Sequence, residues 1–156
     1  MNQALLHVCT RINEELVEIE YTVHRTLEGM RKAKETGDDY YLDGVALNLH
    51  GFYSGIERIF ENIAIKIDGF RSDGKNWHQI LLKQMAKENT DIRPAVISDK
   101  IFNLLDEYRG FRHIVRNIYS YKFDPERIEK MVVQLPLLFN SLKSELRAFS
   151  DFLQRQ

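Results

Sequence analysis

Apolar residues recur every three or four positions along most of this chain. From Asn2 to Thr36 they fall at Leu5, Cys9, Ile12, Leu16, Ile19, Val23, Leu27 and Met30, one stripe of an α-helix. Arg31, Lys32 and Lys34 sit where the helix dipole favours cations, and Gly37 follows as a terminator. A second stripe, from Asp39 to Asp68, runs through Leu42, Val45, Leu49, Phe52, Ile56, Ile59, Ile63 and Ile67. Gly51 and Gly55 inside it share a face, which predicts close approach of another helix. Gly69 and Arg71-Ser72-Asp73-Gly74 end this segment.

A short helix is expected from Trp77 to Glu88, with Asn76 as its N-cap. Asn89 to Ile97 reads as a loop, because Pro94 biases Arg93 away from helical geometry. Ser98 is placed to cap a further helix carrying Ile101, Leu104, Leu105, Tyr108, Phe111 and Val115, which ends between Asn117 and Lys122. Asp124-Pro125-Glu126 opens the last helix, which reaches about Leu153 and is expected to kink at Pro136. Nothing alternates with the period of a strand. The pattern predicts one all-α domain over residues 1–156, an antiparallel four-helix-type bundle with one additional short helix.

The charges nearly cancel, 22 Lys+Arg against 23 Asp+Glu, so bulk positive charge does not draw this chain to nucleic acid, and no DNA partner is expected. The single cysteine, Cys9, excludes an internal disulfide. Met1 to Thr10 lacks the basic start of a signal peptide, and the apolar run Met131 to Leu142 is too short to span a bilayer. A soluble cytoplasmic protein with no membrane partner is the expectation. The cluster Glu14, Glu15, Glu18 and Glu20 has no matching ligands on a second helix and reads as a solvated face rather than a metal site. His7, His24, His50, His78 and His113 show no metal-ligand spacing, and the chain has no phosphate-binding glycine loop or nucleophile motif. No metal and no cofactor is expected.

One segment stands apart, Arg109-Gly110-Phe111-Arg112-His113-Ile114-Val115-Arg116-Asn117-Ile118-Tyr119. On a continuous helix Arg109 and Arg116 lie roughly 40 to 60° from Arg112, and Tyr119 about 20° to its other side. Three like charges on one stripe repel. Either carboxylates such as Glu57 and Asp106 compensate them, or the stripe receives an anion such as phosphate.

The run Arg112 to Tyr119 resembles the motif of HEPN domains, particularly the HepT-like ribonuclease toxins, in which it reads Arg-x4-His-x-Tyr. Arg112 takes the Arg position and Tyr119 the Tyr position, while Asn117 stands where the His would be. Tyr53-Ser54-Gly55-Ile56-Glu57-Arg58-Ile59-Phe60 and the Asn76-Trp77-His78 helix start are also similar to these toxins, so the likeness covers most of the chain. It implies a HEPN-like bundle that dimerises, so that two motif copies face one cleft and cut RNA, tRNA among the candidates, without a metal. It further implies a nucleotidyltransferase antitoxin that silences the toxin by adenylylating the motif tyrosine. Carried over, Arg112 is the phosphate-stabilising catalytic residue and Tyr119 the modified one. Arg109 and Arg116 are supporting phosphate contacts by charge and position.

Asparagine orients a substrate but carries no proton at neutral pH. Catalysis here therefore falls to Arg112 and Asn117 with His113 as the substitute imidazole, or the site is without activity. In that second case the chain is a non-catalytic helical subunit that dimerises and binds a nucleotidyltransferase. A third reading is a purely structural bundle whose arginines meet carboxylates.

Overall fold

The computed structural model describes residues 2–156. Helix α1 spans Gln3–Thr36, α2 Tyr41–Ile63, α3 Trp77–Met85, α4 Asp99–Asn117 and α5 Pro125–Gln154. Among the described residues there is no strand, and the architecture is an all-α helical bundle. Among the described residues no helix is long and apolar enough to cross a membrane.

Local chemistry sets most boundaries. Asn2 Oδ1 accepts from the Ala4 amide at 2.8 Å to start α1, and Gly37, at φ 69°, ends it while donating to the Ala33 carbonyl. Helix α2 has no side-chain cap and widens after Ile63 into a π-helical turn, Ala64–Asp68, which Gly69 closes at φ 69°. Asn76 precedes α3 without making the expected cap bond, and α3 stops at Met85, short of Glu88. Ser98 Oγ accepts from the Ile101 amide, and Glu145 of α5 holds Ser98 through both its amide and its hydroxyl. Asp124 caps α5, which runs unbroken through Pro136.

Helices α1 and α2 are antiparallel, as are α1 and α5, where Lys34 meets Glu129 and Lys143 meets Glu20. The predicted stripes meet in one core, with Phe52, Tyr53, Ile56, Phe60, Leu105, Tyr108, Phe111 and Leu135 all but inaccessible. Tyr108 spans two elements: its ring packs on Phe52 and its hydroxyl donates to the Met131 carbonyl at 2.6 Å. Only one of the two glycines read as a close-approach pair has that role. A Cβ on Gly55 would lie 2.7 Å from Ile19 Cγ1 of α1, whereas one on Gly51 would lie 3.8 Å from Thr22 Cγ2. Both glycines face α1 of the same chain.

The glutamate face is also not uniformly solvated. Glu15 is buried, bonded to Arg11 at 3.0 Å and Arg58 of α2 at 3.2 Å. The loop after α3 hides a second ion pair, Arg93 with Asp68 of the π turn, whose side chains are 1% and 4% exposed. Arg93 donates to both Asp68 oxygens at 2.7 Å and to the Lys87, Pro94 and Gln84 carbonyls. Burial alone would raise the Asp68 carboxyl, but hydrogen bonds from Arg93, Gln84 and Asn89 hold it below its usual range. This clamp ties the π turn to the C-terminal end of α3, the helix that completes the site below.

Candidate functional site

Helix α4 projects Arg109, Arg112 and Arg116 towards the start of α3. Its apolar residues Leu105, Tyr108 and Phe111 are locked into the core, so the helix cannot rotate the arginines away. Between α3 and α4 lies a cleft of about 440 Å³, lined by Lys75, Asn76, His78, Gln79, Arg109, Arg112, His113, Arg116 and Asn117. Four of these residues are cations, and no carboxylate is among them. In a chain of net charge −1 this is a local concentration of positive potential.

The charge compensation is uneven. Arg109 Nε bonds Asp106 at 2.7 Å. Arg112 lies 4.0 Å from Glu57 of α2, and Arg116 is exposed with no ion-pair partner among the described residues. Glu57 is itself nearly inaccessible, and its closest contact is His78 Nδ1 at 2.6 Å. Arg112 Nη1 sits 3.3 Å from both ring nitrogens of His78, an equal spacing that lies off either lone-pair direction. The His78 ring stacks on Trp77, centroids 3.7 Å apart, and the Arg71 guanidinium covers Trp77 at 4.3 Å. Glu57, His78 and Arg112 thus form one packed unit at the wall of the cleft. The buried Arg112 Nε has no hydrogen-bond partner, leaving a donor unused at the most enclosed of the arginines.

The field of this group reaches α2. His50 is held below its usual 6.5 by burial first and then by Arg112 and Arg116, so its ring stays neutral near pH 7. Burial likewise pushes the Tyr53 phenol far up.

The structure sorts the residues singled out from the sequence. Arg109, Arg112, His113, Arg116 and Asn117 share the cleft. Glu57 and Asp106 are the carboxylates that meet Arg112 and Arg109, so carboxylates compensate two of the three arginines in part. Tyr119 is not on the arginine stripe. The helix ends at Asn117, Ile118 and Tyr119 take extended geometry, and the Tyr119 ring is 75% exposed beside Tyr121, with centroids 6.1 Å apart. The Asn117 amide nitrogen donates to the His113 carbonyl at 2.8 Å and lies 3.3 Å from His113 Nδ1, so Asn117 orients its neighbour. The sequence reading missed the role of His78. It occurs in the Asn76-Trp77-His78 segment, but spacing alone does not bring α3 to α4.

A larger groove, about 580 Å³, lies around Phe70, Ile80, Lys83 and Lys87. It contains none of the arginine-motif residues. The model of a family described as HepT-like protein matches residues 44–153, from the first turn of α2 almost to the end of α5. No curated protein and no solved structure matches the chain.

Proposed function

As the chain belongs to the HepT-like family, we propose that it is the ribonuclease toxin of a HEPN/nucleotidyltransferase toxin–antitoxin pair. The observation that carries this reading is the cationic cleft with no carboxylate in its lining, in which Arg112 keeps an unused donor and Arg116 has no counter-ion among the described residues. A phosphodiester supplies the missing negative charge. Guanidinium groups suit it because their fixed donors match two phosphate oxygens.

In this reading Arg112 binds the scissile phosphate and stabilises the charge that builds on it during attack by the neighbouring 2′-hydroxyl. Arg109 and Arg116 hold the flanking phosphates. His113 stands in for the imidazole absent at Asn117, and Asn117 keeps it turned into the cleft. The chain works as a homodimer with two such sites, and the nucleotidyltransferase partner adenylylates Tyr119. That exposed hydroxyl is accessible to an enzyme, and the added phosphodiester competes with RNA for the arginines. Asn117 itself favours a second reading, a non-catalytic subunit that dimerises and docks the same partner.

Expression of the wild-type chain alone is expected to arrest bacterial growth and fragment cellular RNA. Arg112→Ala is expected to do neither, while remaining soluble and melting close to wild type. An Arg112→Ala protein that stays toxic removes the assignment, and a wild type that binds the nucleotidyltransferase but never cuts RNA selects the second reading.

A further inference from the structure

Transesterification of RNA moves two protons. One leaves the attacking 2′-hydroxyl, and another is gained by the departing 5′-oxygen. His113 does not suit the first task. Its Nδ1 faces the Asn117 amide nitrogen at 3.3 Å, a group that only donates, so in the neutral ring the proton sits on Nε2. The lone pair of that ring lies on Nδ1 and is held by the amide, so Nε2 carries a hydrogen-bond donor and cannot take the proton. Asn117 itself can do neither.

The geometry points to His78 as the group that removes the 2′-hydroxyl proton, an assignment that rests on the ribonuclease reading above. Its Nδ1 lies 2.6 Å from a carboxylate oxygen of the buried Glu57. A carboxylate only accepts, so the Nδ1 proton is fixed there and the neutral ring presents the Nε2 lone pair. The ring cannot swing away, because Trp77 stacks on it and Arg71 covers Trp77. His78 lines the same cleft as His113 and lies against the guanidinium of Arg112. The two imidazoles thus enter the cleft in opposite states, each set by the partner of its Nδ1, with the phosphate-binding arginine beside the acceptor.

The 2′-oxygen forms a bond to phosphorus as its proton passes to His78 Nε2. The bond from phosphorus to the 5′-oxygen breaks as His113 Nε2–H donates a hydrogen bond to that oxygen, which takes its proton from water. The products are a 2′,3′-cyclic phosphate and a 5′-hydroxyl, and the hydroxide left by that water takes the proton from His78 and restores its ring. No oxidant, reductant or further reactant enters. Glu57 is a positioning residue, acting through His78 at 2.6 Å and more distantly through Arg112 at 4.0 Å.

The test uses the purified full-length chain and total bacterial RNA as the probe, scoring the rate at which 5′-hydroxyl ends appear. His78→Gln retains an amide donor for Glu57 but no transferable proton. It should keep the wild-type melting temperature and KM while kcat falls by about 10² to 10⁴. His78→Ala opens space beside Trp77, and added imidazole should restore much of its rate while leaving Arg112→Ala inactive. The acidic limb of the pH–kcat profile should be lost in His78→Gln. His78→Gln activity within threefold of wild type, with Arg112→Ala inactive, overturns the assignment and leaves the ribonuclease reading intact. Lost activity that imidazole does not restore, with an unchanged pH profile in the residual rate, also overturns it, because His78 then only supports Arg112. A wild type that makes no 5′-hydroxyl ends overturns both.

Discussion

Gly51 and Gly55 make the most discriminating pair of probes for the packing of α1 on α2, because the same substitution is expected to have opposite effects four residues apart. At Gly55 an added methyl would sit 2.7 Å from Ile19 Cγ1 and 3.2 Å from its Cδ1. Carbon atoms in good contact are about 3.5–4.0 Å apart, so Ile19 must move by most of an ångström inside a core where it is 2% exposed. Overpacking of this kind costs about 1–3 kcal/mol. Replacing a mid-helix glycine by alanine returns about 1 kcal/mol. Gly55→Ala should therefore destabilise by about 0–2 kcal/mol. At Gly51 the methyl would meet Thr22 Cγ2 at 3.8 Å, an ordinary contact, so the helical gain survives. Gly51→Ala should stabilise by up to about 1 kcal/mol, or about 2–4 °C in Tm for a chain of this size. Urea unfolding of both variants with unchanged m-values is the assay. Gly55→Ala proving more stable than Gly51→Ala would falsify the packing derived for this interface.

Other outcomes follow from the charged groups. Arg93→Met leaves the Asp68 carboxylate buried without its cation and should cost about 3–5 kcal/mol in urea unfolding; a loss below 1 kcal/mol contradicts the clamp. His50 has its proton affinity depressed in the folded state, so the unfolded chain binds the extra proton. The stability tied to this ring is complete above the unfolded value of 6.5 and drains away as pH falls through the folded one. Between pH 7.5 and pH 5.5 the wild-type Tm should drop further than that of His50→Gln, and parallel curves would exclude this contribution. Tyr119→Phe removes only an exposed hydroxyl. On co-expression with the nucleotidyltransferase, intact mass should show whole adenylyl additions on the wild type and none on the variant, and equal additions on both place the modification elsewhere.

The helices were legible in the sequence because each buried stripe repeats at the helical period. Leu49, Phe52, Ile56, Ile59 and Ile63 step by three and four, and all are inaccessible. The cluster of Arg109, Arg112, His113, Arg116 and Asn117 was legible because its members lie within one helix, where spacing alone fixes the shared face. Tyr119 was misplaced because that argument presumes the helix continues, and Ile118 leaves it with φ −125° and ψ 142°. His78 went unassigned for the opposite reason. Its position depends on the fit of α3 against α2 and α4, a tertiary contact that local periodicity does not encode. The Arg93–Asp68 pair was hidden similarly, since it joins a π turn to a loop. Glu15 reads as one of four surface acids until Arg58 of the neighbouring helix is seen to reach it.

The central claim is that Arg112, at the wall of a cationic cleft, drives RNA cleavage by the neighbouring 2′-hydroxyl. It is tested most directly by mapping the RNA ends that the purified chain makes in the presence of a strong chelator, with Arg112→Ala in parallel. The account predicts 2′,3′-cyclic phosphate and 5′-hydroxyl ends from the wild type, undiminished by the chelator, and a loss of at least a hundredfold, about 3 kcal/mol of transition-state stabilisation, in the variant. Ends carrying a 5′-phosphate, or equal cleavage by Arg112→Ala, would contradict it.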